Sequence, residues 1–269
     1  MNEVFDFTRL WKLMKYEVVN YIPRFFRSLL IFASVLVAVW IFSLSIDIDV
    51  MSFGRKGLIG VLFIFAVALS PYIIYKDMNN RKKGYMYAMI PASTLEKLIS
   101  MFAICVICVP VLTWAVLTAT DAFLWMLSNI GIGSFESISL YNPFNDSFLV
   151  VFNRELGEFS NVLDSILYIL SIVAMTMMFN TIFRKNKVLK TILFNIGVSF
   201  ALIMLMATFV NAVSTEFWDN LGEDIAPLLE NRTAEEIISF WMAFWRFVGL
   251  LLISAYLTIT YFRIKRVNY

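Results

Sequence analysis

There is no histidine anywhere in the 269 residues. That absence removes Ser–His hydrolysis, His-dependent membrane acyl transfer and zinc proteolysis, each of which needs an imidazole as base or ligand. Cysteine is almost as scarce, with two, Cys105 and Cys108, inside one apolar run. Redox or metal use needs thiolates, which hydrocarbon disfavours, and no imidazole stands by to complete a metal set. Packing is the reading these two support. Charge is sparse too, at 16% of residues and a net +2. No bulk basicity argues for nucleic acid. No G-x-x-x-x-G-K-[ST] loop occurs, so the chain does not cradle a nucleotide by that route. An intramembrane aspartyl protease needs two carboxylates at depth, and Asp121 alone is a candidate. Neither an enzyme nor a cofactor is expected.

What the chain has instead is grease. Hydrophobic residues make up 60% of it, and the mean hydropathy is +0.77. A helix rises about 1.5 Å per residue and the hydrocarbon core is about 30 Å thick, so roughly 20 apolar residues cross it. Runs at 28–46, 57–75, 98–120, 165–183 and 191–213 fit, and a sixth at 237–262 fits with one interruption, Arg246. Unpaired backbone groups in lipid cost several kcal/mol each, which favours helices, and the alternating ten-residue segments of a barrel are missing. The expected fold is all-α: a polytopic membrane protein with six transmembrane helices, over 28–269, behind an N-terminal amphipathic interfacial helix, over 1–27.

Lysine and arginine set the orientation. With the N-terminus in the cytoplasm, seventeen basic residues fall inside: Arg9, Lys12, Lys15, Arg24 and Arg27; Lys76, Arg81, Lys82, Lys83 and Lys97; Arg184, Lys185, Lys187 and Lys190; Arg263, Lys265 and Arg266. Four, Arg55, Lys56, Arg154 and Arg232, fall outside. Both termini are therefore expected in the cytoplasm. No A-x-A-like site follows the first run closely, so that run reads as an uncleaved insertion signal.

The lead-in carries its own pattern. Phe7, Leu10, Trp11, Met14, Val18, Tyr21, Ile22 and Phe25 recur at three- and four-residue steps, with basic residues off the stripe. That is an amphipathic helix, read either as lying in the plane of a lipid interface or as a short lead-in resting on the protein; the first is preferred because no partner domain for the stripe is evident. Pro23 then permits a bend before the first run. Pro71 and Pro110 would kink the second and third spans. Gly54, Gly57 and Gly60 allow close helix approach at the start of the second.

The segment "RKKGYMYAMIPASTLEK", residues 81–97, is richer than a tether needs to be. Pro91 stops what precedes it. Ser93-Thr94-Leu95-Glu96 reads as a capping box that starts the third span. The lysines and the cap follow from membrane anchoring alone. The aromatic and Met residues, Tyr85, Met86, Tyr87 and Met89, do not.

An elbow helix, six spans, both ends inside and a segment of the form "MIPASTLEKLIS" between spans two and three together resemble an ABC-2 type transporter permease. The likeness covers most of the chain as layout, while the motif itself is short. The resemblance implies a coupling segment at about 76–97, with Arg81, Lys82, Lys83, Tyr85, Met86, Tyr87, Ser93 and Glu96 meeting a separate ABC ATP-binding subunit. It also implies a second permease chain, identical or different, a bacterial cytoplasmic (inner) membrane, and export. The acidic stretch 214–236 matches the family's outer re-entrant segment in position. The outer stretch 121–164 is longer than the family pattern.

Two charges lie near the expected outer boundary, Asp121 and Arg246. They read either as an ion pair at the outer mouth or as two interface residues with separate access to water. The rival functions are a secondary carrier and a membrane scaffold or sensor. A carrier needs ionisable groups near mid-membrane and often internal repeats, neither of which is evident.

Overall fold

The computed structural model describes residues 5–46, 50–78, 84, 87, 89–129, 162–212 and 234–266. Its elements are all helical: α1 Phe7–Ile46, α2 Val50–Ile74, α3 Thr94–Ala103, α4 Val109–Asn129, α5 Val162–Ile182, α6 Lys187–Ala212 and α7 Ala234–Arg266. A single π-helical turn, Ile104–Cys108, joins α3 to α4. Among the described residues, five stretches are long and apolar enough to cross a membrane: Phe7–Phe42, Gly57–Ile74, Thr94–Leu127, Leu163–Ile182 and Met242–Arg266. The fifth apolar run of the sequence falls in α6 as far as Ala212.

One core joins α1, α2, α3–α4 and α5. Phe25 and Leu29 meet Ile59, Phe63 and Val67, with Met101, Ile104, Val109, Val173 and Met177 closing around them. α7 packs along α5 and reaches α3. Its Ile264 packs against this cluster. Many large apolar side chains of α6 and α7 face outward, among them Leu193, Phe200, Trp245 and Phe247.

The lead-in and the first span form one 40-residue helix that continues past Pro23 without interruption. At 1.5 Å per residue that is about 60 Å, twice the hydrocarbon thickness, so much of α1 extends past any bilayer core. Most of the apolar stripe read from the sequence is the face that packs: Leu10 and Phe25 are buried and Val18 and Tyr21 rest on the core, while two members near its start are left outside. Leu10, Leu13 and Glu17 are buried, whereas Phe7 and Trp11 are 70% and 63% exposed. The lead-in therefore does have a protein partner: it lies on α3 and the turn after α2.

The prolines are accommodated differently. α2 continues through Pro71, whose carbonyl takes the Asn180 side-chain amide at 2.9 Å as well as the Tyr75 N–H. Before Pro110 the helix widens: the Val109 N–H reaches back five residues to the Ile104 carbonyl. A proline ring clashes with the carbonyl four residues earlier, and a π-turn makes room for it. Cys105 sits in that turn, fully buried in the core, in keeping with a packing role. Gly57 does not serve close approach, since a Cβ there would meet nothing within 4 Å.

Candidate coupling site

The start of α3 is built from its capping residues. Ser93 is extended (φ −67°, ψ 159°), and its hydroxyl accepts the Glu96 N–H at 3.2 Å. The Glu96 carboxylate returns to the Ser93 N–H at 2.8 Å, so the capping box read from the sequence is complete. Glu96 then does more than cap. Its other oxygen, Oε1, accepts the Asp6 N–H at 2.8 Å and the Arg9 guanidinium at 3.0 Å. Asp6 in turn caps α1, accepting the Thr8 N–H at 2.8 Å. One fully buried carboxylate thus ties the first turn of α1 to the first turn of α3.

A second carboxylate does the same one layer deeper. Glu17, with no exposed surface, accepts three hydroxyl protons: Tyr75 at 2.9 Å, Tyr87 at 2.9 Å and Ser100 at 2.7 Å. These donors come from the turn after α2, from the segment before Pro91 and from α3. The Lys97 ammonium lies 5.6 Å from the Tyr87 ring centroid, nearly buried itself. Tyr87 was expected to be available to a partner. It faces inward instead, 7% exposed, because its hydroxyl serves Glu17. Met89, two residues on, is 76% exposed. Arg81, Lys82, Lys83, Tyr85 and Met86 lie outside the described residues.

The same end of the molecule gathers α5 and α6. Asn186 takes a left-handed conformation (φ 50°) in the connection, one that asparagine tolerates better than most residues. Its carbonyl receives the Lys190 N–H and starts α6. Lys187 donates to Asn180 Oδ1 at 2.6 Å and to the Lys76 carbonyl at 3.3 Å. Burial pushes the Lys187 ammonium down to about 8, against a smaller opposing pull from Asp77. Tyr72 and Thr191 share a hydroxyl hydrogen bond of 2.8 Å. Arg24 pairs with Asp77 at 2.8 Å.

Asp121 and Arg246 are not a pair. Arg246 is gripped by Asp164, Nε to Oδ1 at 2.7 Å and Nη2 to Oδ2 at 2.9 Å, which locks α7 to the first turn of α5. Asp121 sits inside α4, only 2% exposed. Expected at the periphery, it is packed away. The sequence offered one signal for Asp164, an acidic residue at the lip of an apolar run, but the 82-residue separation gave no reason to join it to Arg246.

Fold and site together define an all-helical chain of the membrane-spanning kind, with a hydrogen-bonded crosspiece between α1 and α3. No family model matches it, and neither curated proteins nor solved structures give a match.

Proposed function

We propose that this chain is the membrane-spanning permease subunit of an ATP-driven transporter of the ABC-2 type, energised by a separate ATP-binding subunit. In this reading it spans the membrane six times, with α6 as the fifth span and both termini in the cytoplasm. It pairs with a second permease chain, the same or different, in a bacterial inner membrane, and it exports. The observation that carries the reading is the crosspiece. A loop that pushes on a span has to be stiff where it joins that span. Tyr75, Tyr87 and Glu96, and Ser100 just beyond in α3, are each held to a helix that continues as the first span. Buried charge-assisted hydrogen bonds are each worth about 1.5–3 kcal/mol, so a load on this segment reaches α1 and α3 together.

Tyr87 then belongs to the bracing, and contact with the ATPase falls to the exposed Met89 and the basic Arg81, Lys82 and Lys83. Apolar packing would hold the partner while charge steers it. The spans tilt between two arrangements as the ATPase closes.

The test is capture from native membranes in mild detergent. The parent chain is expected to retain a P-loop ATPase in fixed ratio, identified by mass spectrometry and by ATP hydrolysis. The Lys82→Glu/Lys83→Glu variant is expected to lose it. A chain that comes out alone, or moves cargo in vesicles without nucleotide, would overturn the reading in favour of a scaffold or a secondary carrier.

A further inference from the structure

Between α1 and the end of α2 lies a cavity of about 370 Å³, near the lower end of the range of small-molecule sites. Its walls are unusual for this chain. Tyr16, Tyr21, Tyr75 and Tyr87 line it, and Arg24 and Asp77 stand at its edge. The rings meet edge to face in series, Tyr16 to Tyr21 at 6.2 Å, Tyr21 to Tyr75 at 5.9 Å and Tyr75 to Tyr87 at 6.3 Å. Glu17 engages the hydroxyls of Tyr75 and Tyr87, so these two offer the cavity ring surface rather than hydrogen bonds. Tyrosine faces attract cations, and the Arg24 guanidinium already lies 5.8 Å from the Tyr21 centroid.

Electrostatics narrows the occupant. Arg24 and Asp77 neutralise each other at 2.8 Å, with side chains 50% and 31% exposed. A lone anion or a lone cation would have to compete with that pair for one of its members. A ligand carrying both signs keeps every charge matched, its anion on Arg24 and its cation between Asp77 and the tyrosine faces. Position narrows it further. Arg24 precedes the first apolar run by four residues, about 6 Å of helix, and Tyr75 ends the second. The cavity therefore opens at the depth where lipid head groups sit.

We propose that this cavity binds a zwitterion made of a phosphate and an ammonium, supplied by the head group of a phospholipid. The site stands on the membrane-spanning character of the chain and does not depend on the transport reading. Arg24 takes the phosphate as a charge-assisted donor. Asp77 and the rings of Tyr16 and Tyr21 hold the ammonium.

Native mass spectrometry of the full chain in maltoside micelles tests it. Three probes are added separately: dioleoylphosphatidylethanolamine, dioleoylphosphatidylglycerol and soluble glycerophosphoethanolamine. The parent is expected to hold one phosphatidylethanolamine in preference to phosphatidylglycerol. Arg24→Gln and Asp77→Asn are each expected to lower that occupancy about tenfold, the size of one lost charge-assisted bond. The swapped pair Arg24→Asp/Asp77→Arg keeps the internal ion pair but reverses the polarity seen by an anchored lipid. It is expected to fold as the parent does, by thermal unfolding, and to lose the preference, which guards against variants that merely misfold. Binding of glycerophosphoethanolamine as tight as that of the lipid would keep the zwitterion chemistry but overturn the lipid as its source. Equal retention of both lipids by parent and swapped chain, or of neither, would overturn the site.

Discussion

A carboxylate with no solvent contact needs a full set of donors, and Glu17 has three hydroxyls around it and the Lys97 ammonium in its field. Stripping the carboxylate away would leave those hydroxyls buried without an acceptor, at about 1–3 kcal/mol each. Glu17→Leu is accordingly expected to cost at least about 3 kcal/mol, read as a large fall in the thermal unfolding midpoint in detergent. Tyr87→Phe removes one donor of the set and is expected to cost about 1 kcal/mol. The double variant should fall short of additivity by about 0.5 kcal/mol or more, since both changes touch one network. Additive losses, or a Glu17→Leu chain as stable as the parent, would show that the hydroxyls find other acceptors and that Glu17 does not organise them.

At the scale of elements, α3 separates what local spacing reveals from what it hides. The S-x-x-E box was legible because a cap is written within four residues, and the structure has it as read. The reach of Glu96 to Arg9 was not legible, because 87 residues intervene and each partner had a sufficient local explanation. The stripe on α1 held for most of its length and missed at Phe7 and Trp11 for a related reason. Leu10 and Leu13 pack on protein while Phe7 and Trp11 do not, yet all four are simply apolar to a helical wheel. A polar residue breaking the pattern, Glu17, was the available clue to the packed face. The six apolar runs were readable because bilayer thickness fixes their length, and each lies in helix to within a residue at its end, five stretches qualifying as spans among the described residues. Glu96 also separates capping from tethering by experiment. Ser93→Ala is expected to cost about 1 kcal/mol, the usual worth of an N-cap, and to leave the N-terminus in place. Glu96→Ala should cost more and also release Asp6 and Arg9, so that an arginine-specific protease cuts after Arg9 several-fold faster than in the parent. Equal cutting in the two variants would mean that the α1 start is held by packing and not by this carboxylate.

Taken as a whole, the molecule has one basic end. Arg9 meets Glu96, Arg24 meets Asp77, Lys187 reaches the Lys76 carbonyl, and α7, whose last turn is basic, packs on α3. Counting charge in the sequence puts these segments on one side of a membrane, and the fold adds which of them touch. Lipid crossing by positive charge is costly, so a bundle with this polarity should insert one way only, basic end toward the cytoplasm. In a Cys105→Ala/Cys108→Ala background, single cysteines at Lys185 and at Arg266 should behave alike. Both are expected to resist a membrane-impermeant maleimide in intact cells and to react once the membrane is opened. Labelling of both in intact cells would invert the proposed orientation and with it any docking of a cytoplasmic ATPase. Labelling of only one would part the α6 start from the α7 terminus, against the reach of Lys187 to the turn after α2 and the packing of α7 on α3.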